Sequence, residues 1–384
     1  MDHYIQLESD EAVFTDIIEK LGAKNVQVSC LEVMDKSFLD QYKKIYGAIL
    51  LFPYTKESQE RSIELFQMDP SSIPGLTFVP QVKDNSCGMM AILHVLLNIN
   101  DSAIVGSRIA GYKDFFEGVT SDIRGESIAQ QQDLMEINNN YDMHHPISID
   151  MLDGPKENNH YCAFIPFMKV LYQMDGLLKG PVVLDSFDTE EEYREVLLHT
   201  LQNRIQEIVT DNPNTNNVAV LIVHESFMSQ YKKELDAEQK QIADLKKQLE
   251  ANKSPVMEAE LSLHEKNVKE IMQKMEEERT RIKERKEDLE LQRLNSIPLF
   301  HNLLKEYVKD AMKKGTYKEV DYQPMTLIQY DMGSDFEDGT IDEACSVCCL
   351  IVVSHPWRKQ CFSFTTHRGF FSFLLSSSRC VSNP

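Results

Sequence analysis

No stretch of this 384-residue chain stays apolar for the roughly 18 positions that a membrane-spanning helix needs. A membrane is therefore not an expected partner. Cysteine is sparse, with eight scattered through the chain, which excludes a disulfide framework and points to reduced thiols inside the cell. Positive charge is also short. The 40 Lys and Arg face 61 Asp and Glu, a net charge of −21. Binding nucleic acid by counterion release needs a basic surface, so that class is excluded for the chain as a whole, and a basic protein partner suits better. The opening Met1-Asp2-His3-Tyr4 is polar and acidic, so no secretory leader is expected.

Hydrophobic residues make up 42% of the chain, enough for one domain of about 200 residues with appendages. Between residues 8 and 21, Val13, Phe14, Ile17, Ile18 and Leu21 recur at three and four, which predicts a helix capped by Ser9 or Asp10. Residues 25–33 and 46–52 read as strands, and 56–68 as a charged helix. Residues 160–176 read as two strands folding back near Phe167 and Met168. Residues 190–209 predict an amphipathic helix and 217–223 a last core strand. Residues 138–159 are rich in Asn, Gly and Pro, and predict a long exposed loop.

Beyond His224 the composition changes. Residues 229–294 are rich in Lys, Glu and Gln, with a break at Ser254-Pro255, and predict two long helices forming a coiled-coil arm. A compact helix is expected within 295–325. Residues 326–384, acidic and then rich in Cys, Phe and Ser, are expected to be a flexible tail.

Within the body, one place looks chemical. Cys87 stands where a Pro- and Asn-containing loop meets the apolar run 89–97, which predicts a buried helix with Cys87 in its first turn. Backbone N–H groups there are unpaired and carry partial positive charge, which favours a thiolate. Asn85 or Ser86 is expected to cap the helix. Gln81, six residues upstream, offers an amide to the same spot. A reactive cysteine needs a base and a group that orients it. A hairpin centred between Phe167 and Met168 sets His160 opposite Asp175, on one face and about 4.5–5.5 Å apart. A carboxylate so placed fixes the imidazole tautomer.

Each of these residues also has a plain structural reading. Cysteines at buried helix starts are often packing, and His–Asp pairs on strands are often structural. The rivals are weaker still. His94 is two turns along the same helix, about 10 Å from Cys87. His144 and His145 fall in the loop, and His301 in the C-terminal helix. Cys30 and Cys162 lie in strand-like apolar settings. The tail set Cys345, Cys348, Cys349, His355 and Cys361 matches no familiar zinc spacing, and no metal or cofactor is expected. The basic run 279–286 reads as a solvated helix face before a nuclear signal.

The segments QVKDNSCGMMAILHVLLN, NNHYCAFIPF and LYQMDGLLKGP resemble the ubiquitin carboxyl-terminal hydrolases, a family of papain-like cysteine proteases. The N-terminal IQLESDEAVFTDIIEKLGAKNVQV and IYGAILLFPY are similar to the same family. The resemblance covers about residues 1–228. The charged arm followed by RLNSIPLFHNLLKEYVKDAM resembles the long, proteasome-associated branch. It implies an α/β fold, a papain-like α/β/α sandwich with a knotted backbone, followed by an all-α C-terminal extension.

It also implies a thiol-dependent deubiquitinase acting on ubiquitin and its conjugates, in the cytoplasm and nucleus. Carried over, Cys87 is the nucleophile, His160 the general base and acid, Asp175 its orienting residue and Gln81 the oxyanion stabiliser. Residues 138–159 correspond to the loop crossing the active site, and residues 295–325 to a helical domain docking on a proteasomal ubiquitin receptor. The Lys-rich tail usual in that branch is missing here. An autoinhibited or non-catalytic ubiquitin-binding adaptor is the alternative.

Overall fold

The computed structural model describes residues 3–141, then 159–293 apart from 214, 216, 252 and 253, and three strands between 352 and 376. The described residues up to Arg293 form one unit, and the later strands belong to a second.

The first unit is a six-stranded sheet between two helix layers. Its strands are β1 (Val26–Cys30), β2 (Ile45–Pro53), β3 (Asn159–Phe167), β4 (Val170–Met174), β5 (Val182–Ser186) and β6 (Ala219–Glu225). They lie in the order β1-β6-β2-β3-β4-β5, and every neighbouring pair is antiparallel. Period-two alternation sorts the side chains. Ile49, Leu51, Tyr161, Ala163, Ile165, Leu221 and Val223 join one core, while Ala48, Leu50, Phe52, Cys162, Phe164, Val220 and Ile222 join the other. Because both faces are covered, these strands read as nearly continuous apolar runs.

Helices α1 (Glu11–Lys20) and α4 (Cys87–Leu97) supply the first core, with α5 (Ser102–Phe116), α6 (Ser121–Ala129) and α7 (Gln132–Asn139). Asp10 caps α1 through the Ala12 and Val13 N–H groups. Every residue of α4 is buried, and each fully buried Leu, Ile or Met contributes roughly 1.5–3 kcal/mol. Helix α8 (Glu190–Asp211) covers the other face through Tyr193, Leu197 and Leu201, with the short helices α2 (Lys36–Asp40) and α3 (Lys56–Glu64) beside it.

Several features depart from the sequence reading. Helix α7 runs to Asn139 and strand β3 begins at Asn159, so the ends of the expected loop are ordered. Asn138 is fully buried, its Nδ2 donating to Ile5 O at 2.9 Å. The hairpin register is also shifted. The ladder runs from Ala163↔Met174 to Phe167↔Val170, around a two-residue turn at Met168 and Lys169 with φ of 48° and 64°. Hairpin turns with both central φ positive match the strand twist, although neither residue type advertises one. Finally, β5 went unread, since only Val182 of its five residues is buried.

The boundary drawn at residue 228 falls inside α9 (Phe227–Ala251), which forms an antiparallel helical hairpin with α10 (Pro255–Arg293). The hairpin is fastened to the body. Leu289 joins the first core, Gln27 Nε2 donates to the buried Glu278 at 3.2 Å, and Lys286 pairs with Glu19 at 3.2 Å. In the second unit, β7 (Val352–His355), β8 (Arg358–His367) and β9 (Phe370–Ser376) make an antiparallel sheet where a flexible tail was expected. The Phe and Thr residues of β8 and the Phe residues of β9 are strand-forming. Residues 142–158 of the expected crossing loop and knot, the expected helical domain at 295–325, and His144, His145, His301, Cys345, Cys348 and Cys349 lie outside the described residues.

Candidate active site

Cys87 is the first residue of α4 and is 5% exposed. Ser86 occupies the cap position without capping: its Oγ donates to Lys83 O at 2.7 Å, and Asn85 turns the chain with φ 59°. The first-turn N–H groups therefore keep no side-chain cap. Gly88, next in the chain, lies against Leu7; a Cβ there would be 3.1 Å from Leu7 Cδ1.

His160 lies in β3 opposite Phe52, with its ring 5.5 Å from that of Phe52 and 5.1 Å from that of Tyr54. Asp175 follows the last residue of β4. In the observed register it is not directly across from His160. Continuing the ladder puts Asp175 beside Cys162, two positions along β3. A shift of two residues preserves the face, and the diagonal is short enough: His160 Nε2 donates to Asp175 Oδ1 at 2.8 Å. The same oxygen accepts the Leu177 N–H at 3.0 Å. With Nε2 so engaged, Nδ1 is the ring nitrogen left to face a partner, and the Cys87 side chain is among the groups that favour the charged ring.

The electrostatics follow from this pairing. Burial pulls the His160 imidazole down, but the charge and hydrogen bond of Asp175, helped by Cys87, outweigh it and raise its pKa. Burial pushes the Asp175 carboxyl up, but His160, the Leu177 N–H and His94 outweigh it and hold it below the ordinary carboxylate value.

Gln81 lies on the loop before α4, where its backbone meets Gly176, the residue after Asp175. Its Nε2 donates to Lys83 O at 3.2 Å, its buried Oε1 has no partner, and its backbone N–H donates to Gly176 O at 2.8 Å. The rival groups are placed elsewhere. His94 is fully buried against Phe78, and burial pulls its pKa to about 4. Cys162 is buried in the second core, and burial pushes its thiol up. Cys30 is exposed, with burial of part of its side chain and then Glu11 raising its thiol. No group of three or more His, Cys, Asp or Glu among the described residues is arranged to hold a metal.

Sequence reasoning missed Gly176, Leu177 and the N-terminal contacts. Gln6 Nε2 donates to Asn159 O at 2.8 Å, and Tyr161 Oη donates to Leu7 O at 3.0 Å. These contacts join residues about 150 positions apart, which no local pattern reports.

A buried Cys at a helix start, a His bridging it to a carboxylate, and an amide nearby form the constellation of a thiol hydrolase. The model of the ubiquitin carboxyl-terminal hydrolase family 1 matches residues 4–210. The chain belongs to that family. It is a cysteine-type hydrolase with an α/β fold. It is 30% identical over 239 residues to ubiquitin carboxyl-terminal hydrolase isozyme L5 of Dictyostelium discoideum, covering 60% of this chain and 67% of that one. It is 33% identical over 202 residues to ubiquitin carboxyl-terminal hydrolase 2 of Schizosaccharomyces pombe, covering 52% of this chain and 66% of that one. The matches thus span about two thirds of these relatives. Among solved structures, Trichinella spiralis UCH37 bound to ubiquitin vinyl methyl ester superposes with a TM-score of 0.54 at 19% identity, over 73% of this chain and 99% of that one. That likeness concerns the fold.

Proposed function

We propose that this chain hydrolyses the bond after the C-terminal glycine of ubiquitin. The observation that carries the reading is the buried His160–Asp175 hydrogen bond beside Cys87, which opens a buried helix. Cys87 Sγ attacks the glycine carbonyl carbon, with His160 taking the thiol proton. The C–S bond forms and the carbonyl oxygen takes the negative charge. The Cys87 backbone N–H and the Gln81 amide meet that oxygen; one such donor is worth about 10²–10³ in turnover. His160 then protonates the leaving amine as the C–N bond breaks, giving a thioester. Water attacks the thioester, His160 takes its proton, and the C–S bond breaks to return sulfur to Cys87. Asp175 keeps the imidazole oriented throughout. The scheme uses no cofactor and no metal.

The test is turnover of a ubiquitin C-terminal coumarin amide by the full chain, with labelling by a ubiquitin probe carrying a C-terminal electrophile. Wild type turns over and labels; Cys87→Ala does neither. Labelling that survives Cys87→Ala moves the nucleophile elsewhere.

The finer reading is proteasome-linked ubiquitin processing in cytoplasm and nucleus, with residues 295–325 binding a ubiquitin receptor of the proteasome. Its support is the resemblance of RLNSIPLFHNLLKEYVKDAM to the long branch. Deleting residues 295–384 then abolishes capture of proteasomes and leaves cleavage of the small amide. The near closure of Cys87 and His160, 5% and 3% exposed, favours a second reading, an adaptor whose site stays shut. That reading predicts ubiquitin binding without turnover.

A further inference from the structure

Gly176 is the point where the Gln81 loop meets the end of the β3–β4 hairpin. The Gln81 N–H donates to Gly176 O at 2.8 Å. A Cβ on residue 176 would stand 2.8 Å from Gln81 Cβ, 3.1 Å from Gln81 N and 3.4 Å from Gln81 Cα. Carbon atoms in contact settle at about 3.5–4.0 Å. All three atoms belong to the root of residue 81, so turning the Gln81 side chain relieves nothing and the backbone has to move. Its escape is limited by α6, where a Cβ on Gly125 would be 2.9 Å from Pro80 O and 3.2 Å from Val82 Cγ2. Two glycines on separate elements thus press on residues 80–82.

We propose that Gly176 is a positioning residue for the Gln81 amide, and that lack of a side chain there sets the distance between that donor and the carbonyl held by Cys87. This rests on the reading of the site given above. Because Gly176 also follows Asp175, the same residue ties the oxyanion donor to the carboxylate that orients the base.

The experiment is Gly176→Ala in the full chain, read on the ubiquitin coumarin amide. Relief of the clash displaces residue 81 by about 0.7–1.2 Å, enough to take a hydrogen bond at its ordinary length out of range. The expected kcat falls by about 10- to 100-fold, with KM within about threefold of wild type. Alkylation of Cys87 by iodoacetamide needs no oxyanion donor, so its rate stays within about twofold. In a Gln81→Ala background, Gly176→Ala costs less than about threefold, because the group it positions is gone.

The proposal is overturned if Gly176→Ala keeps the wild-type kcat, if alkylation falls in parallel, or if the full loss persists without the Gln81 side chain. If Gly176→Ala lowers the melting temperature so far that kinetics fail, Gln81→Gly/Gly176→Ala decides. Gln81→Gly removes the tightest contact, the 2.8 Å one, so a double variant that melts higher than Gly176→Ala locates the clash at residue 81. A double variant that melts no higher than Gly176→Ala refutes the assignment. A wild type without turnover removes the functional reading and this proposal together, whereas an active wild type with an unaffected Gly176→Ala removes this proposal alone.

Discussion

Replacing Asp175 with Asn separates charge from geometry. Asp175 Oδ1 accepts both the His160 Nε2–H at 2.8 Å and the Leu177 N–H at 3.0 Å. Asn has the same shape, and its Oδ1 keeps both bonds, so the imidazole stays oriented and only the charge is lost. A hydrogen bond to a charged group is worth about 1.5–3 kcal/mol and a neutral one about 0.5–1.5. The difference, about 1–1.5 kcal/mol, is a rate factor of roughly 5 to 15. The His160 pKa also drops, because burial already pulls it down and the largest opposing influence has been removed. The assay is kcat and KM on the ubiquitin amide from about pH 5 to 10, where the limb belonging to the imidazole moves to lower pH. Asp175→Ala strands the buried His160 donor and also the Leu177 N–H, and it loses at least about tenfold more than Asn. Two outcomes refute the reasoning: an Asn variant with wild-type rate and pH profile, or one as slow as the Ala variant.

The other predictions concern stability and the frame around the site. Burial pulls His94 and His224 to about 4; the unfolded chain takes up their protons below about 6.5, so stability falls as pH drops from 6.5 to 4, by up to roughly 1.4 kcal/mol per unit for each His. His160, raised in the fold, is protonated in both states below about pH 5.5 and adds no slope there, so in urea titrations between about pH 5.5 and 5, above the range where carboxylates such as Asp175 and Glu238 add their own slope, His224→Gln removes about half of the histidine dependence. Leu289→Ala, in the charged arm but part of the first core, lowers the stability of the whole unit by about 2–4 kcal/mol, visible as one cooperative transition at lower temperature. Gln6→Ala removes the bond to Asn159 O beside His160 and costs about 1 kcal/mol of stability, with kcat changing more than KM.

How far each element was legible depended on whether its cause is local. The apolar run after Cys87 has a local cause, and α4 follows it from Cys87 to Leu97. The β3–β4 hairpin was legible as two strands, and its register was not. The turn residues Met168 and Lys169 take positive φ although their side chains do not favour it. The face survived because a slip of two residues does not change it, and so the pairing of His160 with Asp175 survived on a diagonal. Asn138 has the composition of a loop, but its partner is the backbone of Ile5, 133 residues away. Leu289 sits in a run of Lys, Glu and Arg whose pattern is that of a solvated helix, and only the return of α10 to the body buries it.

The site residues are held less by one another than by their chain neighbours. Leu7 packs on Gly88 and accepts from Tyr161, while Gln6 donates to Asn159. The residue after Cys87 and the two residues flanking His160 are thereby joined through the N-terminal segment. Gly176 joins Asp175 to Gln81 in the same way. Substituting a site side chain therefore leaves this frame standing, whereas a side chain on a frame glycine deforms it. The two glycines differ in degree. At Gly88 the nearest atom is the tip of a leucine at 3.1 Å, which a rotamer change moves aside at about 0.5–1.5 kcal/mol. At Gly176 the nearest atom is the Cβ of Gln81 at 2.8 Å, and no rotamer moves that. Gly88→Ala is thus the milder change, although Gly88 is the residue bonded to the nucleophile.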